Sequence, residues 1–164
     1  MEQFANWLAN TKASLLIQDV AWIVPTVQTV HILAIAMVFS SVAMISLRIF
    51  GLAGTRSTMP ETLRRYAPWI WGSVAVLAVS GAIMITGEPV RALTNSIFQL
   101  KMLMLATALV ITGVFERSVH GAAPRWADRS EATWVAKAAA LGVFLLWCAI
   151  VIAGRWIAYT ADNQ

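Results

Sequence analysis

Four stretches of the chain are apolar for longer than a soluble helix requires. Val20 to Leu47 carries no charged residue, and neither does Tyr66 to Gly87. Ile97 to Phe115 is apolar except for Gln99 and Lys101, and Trp134 to Tyr159 is interrupted only by Lys137 near its start and Arg155 near its end. At 1.5 Å per residue, roughly 20 residues cross the hydrocarbon of a bilayer. The pattern predicts transmembrane helices over about 24–50, 67–86, 97–116 and 133–158. The fold expected is all-α, an integral membrane up-down four-helix bundle in a single domain over 1–164.

Local signals refine these elements. Pro25 and Pro68 suit first turns, where a missing N–H costs nothing. Gly51, Gly54, Ser57 and Thr58 mark a turn, and Thr58 with Pro60 and Glu61 has the spacing of a capping box that starts a short helix. Thr94-Asn95-Ser96 offers caps for the third span. At the N-terminus Phe4, Ala5, Trp7 and Leu8 recur at helical spacing among polar residues, which predicts one short interfacial helix. Trp69, Trp71, Trp134, Trp156 and Tyr159 read as interfacial anchors. The first span is expected to act as its own insertion signal, since no positive segment followed by an apolar core precedes it.

Composition agrees. Charged residues make up 12% of the chain, against about 25% in soluble domains. The net charge of +4 comes largely from two connections. Arg48, Arg56, Arg64 and Arg65 flank the first, and Arg117, Arg125 and Arg129 the third, with Asp128 and Glu131 beside them. The other side carries only Lys12 and Arg91. The positive-inside rule places loops 1 and 3 in the cytoplasm and both termini outside, as for a bacterial inner-membrane protein. This charge pattern is one of membrane orientation, and no nucleic-acid partner is expected. The single Cys148 excludes an intrachain disulfide, and no CxxC, Walker-type loop, HExxH or GxSxG motif occurs.

An ionisable side chain inside a span costs about 2.5–3.5 kcal/mol on insertion scales, so each asks for a reason. Those expected within a span are His31, Lys101 and Arg155, with Glu88 and Arg91 at the rim; all fall in the outer half of the bundle. His31 reads either as a metal or haem ligand or as a hydrogen bond to a neighbouring helix. Met102, Met104 and Met84 lie near its level and suit a sixth haem position or Cu(I), or are ordinary apolar filling. Lys101 and Arg155 read as holders of haem propionates or of another anion, or as snorkelling cations, with Glu88 and Gln99 as neighbours for Lys101. His120 reads as a solvated loop residue. Trp147 reads as packed core or as a stacking surface, and the small residues Gly72, Ala75, Ala78, Ser80 and Gly81 as a close helix contact or a homo-oligomer face.

The stretch Val27-Gln28-Thr29-Val30-His31-Ile32-Leu33-Ala34-Ile35-Ala36 resembles the first-helix motif of the copper-resistance D-type and HemJ-type membrane families. Phe98-Gln99-Leu100-Lys101-Met102-Leu103-Met104-Leu105 is similar to their later lysine-bearing helix. The likeness covers roughly residues 27–117. Met37-Val38-Phe39-Ser40-Ser41 stands where those families have Trp-x-x-Gly, and no second membrane histidine is present. HemJ-type proteins are haem-b-binding protoporphyrinogen oxidases, so the resemblance implies His31 as axial ligand and Lys101 as a functional lysine. The copper-resistance likeness implies copper handling by the same residues. The resulting expectation is a membrane haem-b protein in electron transfer or porphyrin and quinone redox chemistry, with a quinone or membrane redox partner. The alternatives are copper handling or small-solute transport, and a non-catalytic subunit of a larger membrane complex.

Overall fold

The computed structural model describes residues 2–121 and 134–160. The expectations for Arg125, Asp128, Arg129, Glu131 and the start of the last helix at 133 lie outside the described residues. Seven helices are described: α1 Glu2–Ala9, α2 Lys12–Asp19, α3 Ile23–Ile49, α4 Met59–Gly87, α5 Pro89–Leu93, α6 Ser96–Gly121 and α7 Trp134–Thr160. Four of them, α3, α4, α6 and α7, are long and apolar enough to cross a membrane. The fold is all-α, a bundle of four long apolar helices with short N-terminal helices, and the chain is a multi-pass membrane protein.

Boundaries follow from caps. α3 ends in a Schellman turn: Gly51, at φ 73°, lets Leu52 N–H reach the Leu47 carbonyl at 2.9 Å while Gly51 N–H reaches Arg48 at 3.1 Å. Thr58 forms the expected capping box with Glu61. It opens α4 itself rather than a separate short helix, and α4 runs through Pro68. The expected start at 67 is therefore too late. Pro68 removes only the bond to the Arg64 carbonyl, which lies one turn into the helix near its water-facing end, and the cap upstream outweighs that loss. Asn95 caps α6, its side chain accepting from Ile97 N–H at 2.8 Å and Phe98 N–H at 3.3 Å. The single expected N-terminal helix is two, because Thr11 caps α2 through Ser14 N–H and so divides it from α1.

Packing is uneven. α3 lies along α4 and also touches α7, and α7 carries α6; α4 and α6 meet sparingly. α3 buries Ala34, Val38, Ser41, Val42, Ile45 and Ile49, a stripe at helical spacing. On α6 only Ala108 and Val119 are fully buried, so α6 is the peripheral helix. Large apolar residues such as Leu33, Val79, Leu103 and Val110 point outward, as lipid-facing positions must. At the end of the bundle that holds the N-terminus, α1 packs on α5 and α2 on α4. The Ile17 side chain there sits 3.1 Å from where a Cβ on Gly87 would stand. This end is called the termini end below, and the opposite one, beyond Ile49 and Gly121, the loop end.

Candidate functional site

His31 sits on α3, eight residues past Ile23, or about 12 Å down the helix axis. Its Nδ1 lies 2.7 Å from the Ser80 hydroxyl on α4. The same hydroxyl is 2.6 Å from the Val76 carbonyl one turn back. A carbonyl oxygen only accepts, so Ser80 gives its single proton to Val76 and must accept from His31. Nδ1 therefore carries a ring proton, and in the neutral imidazole Nε2 keeps its lone pair. Next to Ser80, Gly81 leaves 3.7 Å between its Cβ position and His31 Cε1. The helix faces close around the ring at that point.

Lys101 enters from α6, five residues past Ser96. It is half-buried, and it lies within electrostatic reach of His31. Its Nζ is 3.5 Å from where a Cβ on Gly154 of α7 would be. Among the described residues Lys101 makes no hydrogen bond or ion pair. The expected neighbours are engaged elsewhere: Glu88 pairs with Arg91 at 3.1 Å, and the Gln99 side-chain amide donates to the Leu93 carbonyl. So α3, α4, α6 and α7 each contribute to one cluster, His31, Ser80, Lys101 and Gly154, in the half of the bundle nearer the termini end.

The other candidates divide. Met104 is partly buried against the core, whereas Met102 is exposed. Arg155 is exposed beside Gly154. Trp147 is core, 1% exposed, and its indole Nε1 has no hydrogen-bond partner among the described residues. His120 is not a loop residue but belongs to the last turn of α6, where its Nδ1 bonds the Glu116 carbonyl at 2.8 Å. Among the described residues no three His, Cys, Asp or Glu side chains come together.

Ser80 and Gly154 carry roles that their types alone do not announce. Ser80 was legible only as one small residue in a run of them. Its depth, matching that of His31 counted from opposite helix ends, was the available signal. The contact between Trp71 and Glu116, with the indole N–H 2.8 Å from Oε2, joins α4 to α6 near the loop end and had no sequence signal beyond an anchor tryptophan.

No curated protein and no solved structure matches the chain. Residues 8–160 match one protein family, a span that takes in all four long helices. The chain therefore belongs to DUF6644, a family of unknown function.

Proposed function

We propose that this protein binds haem b in the membrane and serves electron transfer or porphyrin and quinone redox chemistry, with His31 Nε2 as the axial ligand. The observation that carries the reading is the bond to Ser80. Metal-bound histidines nearly always donate their other ring N–H to a fixed acceptor, which sets tautomer and orientation. Here Ser80 is that acceptor, held in turn by Val76. A haem brings four equatorial nitrogens of its own, so one protein imidazole suffices, and the donor set fits. A tight copper site needs several protein donors, and among the described residues the thioethers partly buried near the level of His31 are those of Met104 and Met84, with no second imidazole, thiol or carboxylate gathered there.

When bound, a b-type haem takes up or releases one electron at its iron. The chain's own residues do the rest. Ser80 keeps Nε2 free and aimed. Lys101, whose ammonium lies against Gly154, would supply a positive charge for a propionate, and Arg155 would add a second cation at the rim. Met104 is the candidate for the sixth position. A quinone or a membrane redox partner would exchange the electron. The arginine-rich loop end faces the cytoplasm of a bacterial inner membrane, with both termini outside.

An absorption spectrum of the detergent-purified protein, oxidised and then dithionite-reduced, tests the reading. A Soret band with sharp reduced α and β bands is expected. A featureless spectrum from cells supplied with haem would overturn it.

A further inference from the structure

The α4–α6 seam opens near the loop end into a cleft of about 510 Å³. Its wall is apolar, from Leu109, Val110 and Gly113, and the ring of Trp71 lies 3.9 Å from where a Cβ on Gly113 would be. Its rim is polar, from Glu116, Arg117 and His120. The outer surface of α6 changes character along this cleft. Val110 and Val114 are exposed apolar residues, 64% and 59%, while Arg117, Ser118 and His120 are exposed polar ones. That change marks the boundary between hydrocarbon and headgroups. The cleft thus straddles the level at which a phospholipid changes from acyl chain to headgroup.

The rim is also divided in charge. Glu116 accepts from Trp71 through Oε2, and no other partner for it is found among the described residues. Arg117 makes no ion pair among them either. His120 donates its Nδ1 proton to the Glu116 carbonyl. A carboxylate and a guanidinium thus line the same cleft, with no ion pair between them and none to another described residue.

We infer that this cleft binds one zwitterionic aminophospholipid, with an acyl chain against Gly113 and Leu109. The primary ammonium of the headgroup donates to the open oxygen of Glu116, and its phosphate accepts from Arg117. The adjacent opposite charges select this occupant. An anionic headgroup without an amine leaves Glu116 facing a phosphate. A choline headgroup has the charge but no N–H to donate. The site is separate from the His31 cluster, and the inference does not rest on the haem reading.

Native mass spectrometry of the purified protein, titrated with phosphatidylethanolamine and phosphatidylcholine of identical acyl chains, tests it. The wild type should bind the ethanolamine lipid about tenfold more tightly, the worth of one charge-assisted hydrogen bond. Glu116→Gln should bring the two lipids to within about twofold of each other. Arg117→Gln, an exposed position, should weaken both alike, since both carry the phosphate. Gly113→Leu should fill the cleft and lower occupancy by either lipid, with helical content by circular dichroism unchanged. Equal affinity of the two lipids for the wild type would overturn the inference. So would a preference that survives Glu116→Gln, or a short-chain benzoquinone that binds through Glu116 where neither phospholipid does.

Discussion

The two halves of the bundle treat their polar side chains differently. Near the termini end the polar atoms are turned inward: His31 is tied to Ser80 across helices, Ser80 is tied back to Val76 within α4, and the Lys101 ammonium lies against Gly154. The short helices α1, α2 and α5 pack together over that end. Near the loop end the cross-helix bond, Trp71 to Glu116, lies on the rim of an open cleft. The difference follows from packing. α3 and α4 meet along their lengths and enclose what lies between them, whereas α4 and α6 barely touch. An enclosed polar group is costly without a fixed partner. One at a rim can be satisfied by headgroups or water, so its protein partner matters less.

The largest expected effect breaks the comparison at one end only. His31→Ala should abolish the Soret band in the purified protein, whereas Glu116→Gln should leave the spectrum as in the wild type. Retention of the full haem spectrum by His31→Ala would remove the imidazole from the site. Next comes Ser80→Ala, which deletes the acceptor that orients His31 and leaves Nδ1–H without a partner in a tight helix contact. Haem affinity should fall about 10- to 100-fold, the usual consequence of losing the group that orients a metal-bound histidine. Haem transfer to apomyoglobin measures this, and Ser80→Thr should restore most of it by replacing the hydroxyl.

How much of this was legible beforehand depends on what each feature rests on. The four spans come from long uncharged runs, a local property, and their number and order were readable. The caps at Thr58 and Asn95 were readable for the same reason. The start of α4 was misplaced because Pro68 reads as a first-turn residue in a short window, yet the capping box that begins ten residues upstream at Thr58 fixes the true beginning. The split of α1 from α2 turns on Thr11, whose capping role appears only once its hydroxyl is seen to accept from Ser14 N–H. At the site, His31 and Lys101 were found because ionisable groups in apolar runs are costly. Ser80 and Gly154 were not found as site residues, since pairing across helices depends on rotation about each helix axis. Composition does not encode that rotation. Met102 and Met104 show the same limit: two residues apart, they point to different sides of α6.

A third substitution probes the packing of the short helices at the termini end. Gly87→Val would place side-chain atoms where Ile17 already stands 3.1 Å from the Cβ position. The α2 helix should lift from α4. Hydrogen exchange in α2 is expected to rise while that in the middle of α3 stays slow, because α2 is a short helix held by few contacts. Uniform loosening of α3 as well would mean that the short helices and the bundle are one cooperative unit.

The smallest effect is expected at the loop end, from Trp71→Phe. The substitution removes the indole N–H that Glu116 accepts and keeps an aromatic ring beside Gly113. Polar contacts between membrane helices average about 0.6 kcal/mol and reach about 1.7 kcal/mol at most. Trp71 is 40% exposed and Glu116 only partly covered, so the loss should lie at or below the average, about 0.5 kcal/mol. Ser80 is 4% exposed, and Ser80→Ala should approach the upper bound. Unfolding of both variants in mixed micelles, followed by circular dichroism, sets the two losses on one scale. If Trp71→Phe costs as much as Ser80→Ala, Glu116 is enclosed in the membrane rather than met by headgroups, and the two halves of the bundle do not differ in the way their packing implies.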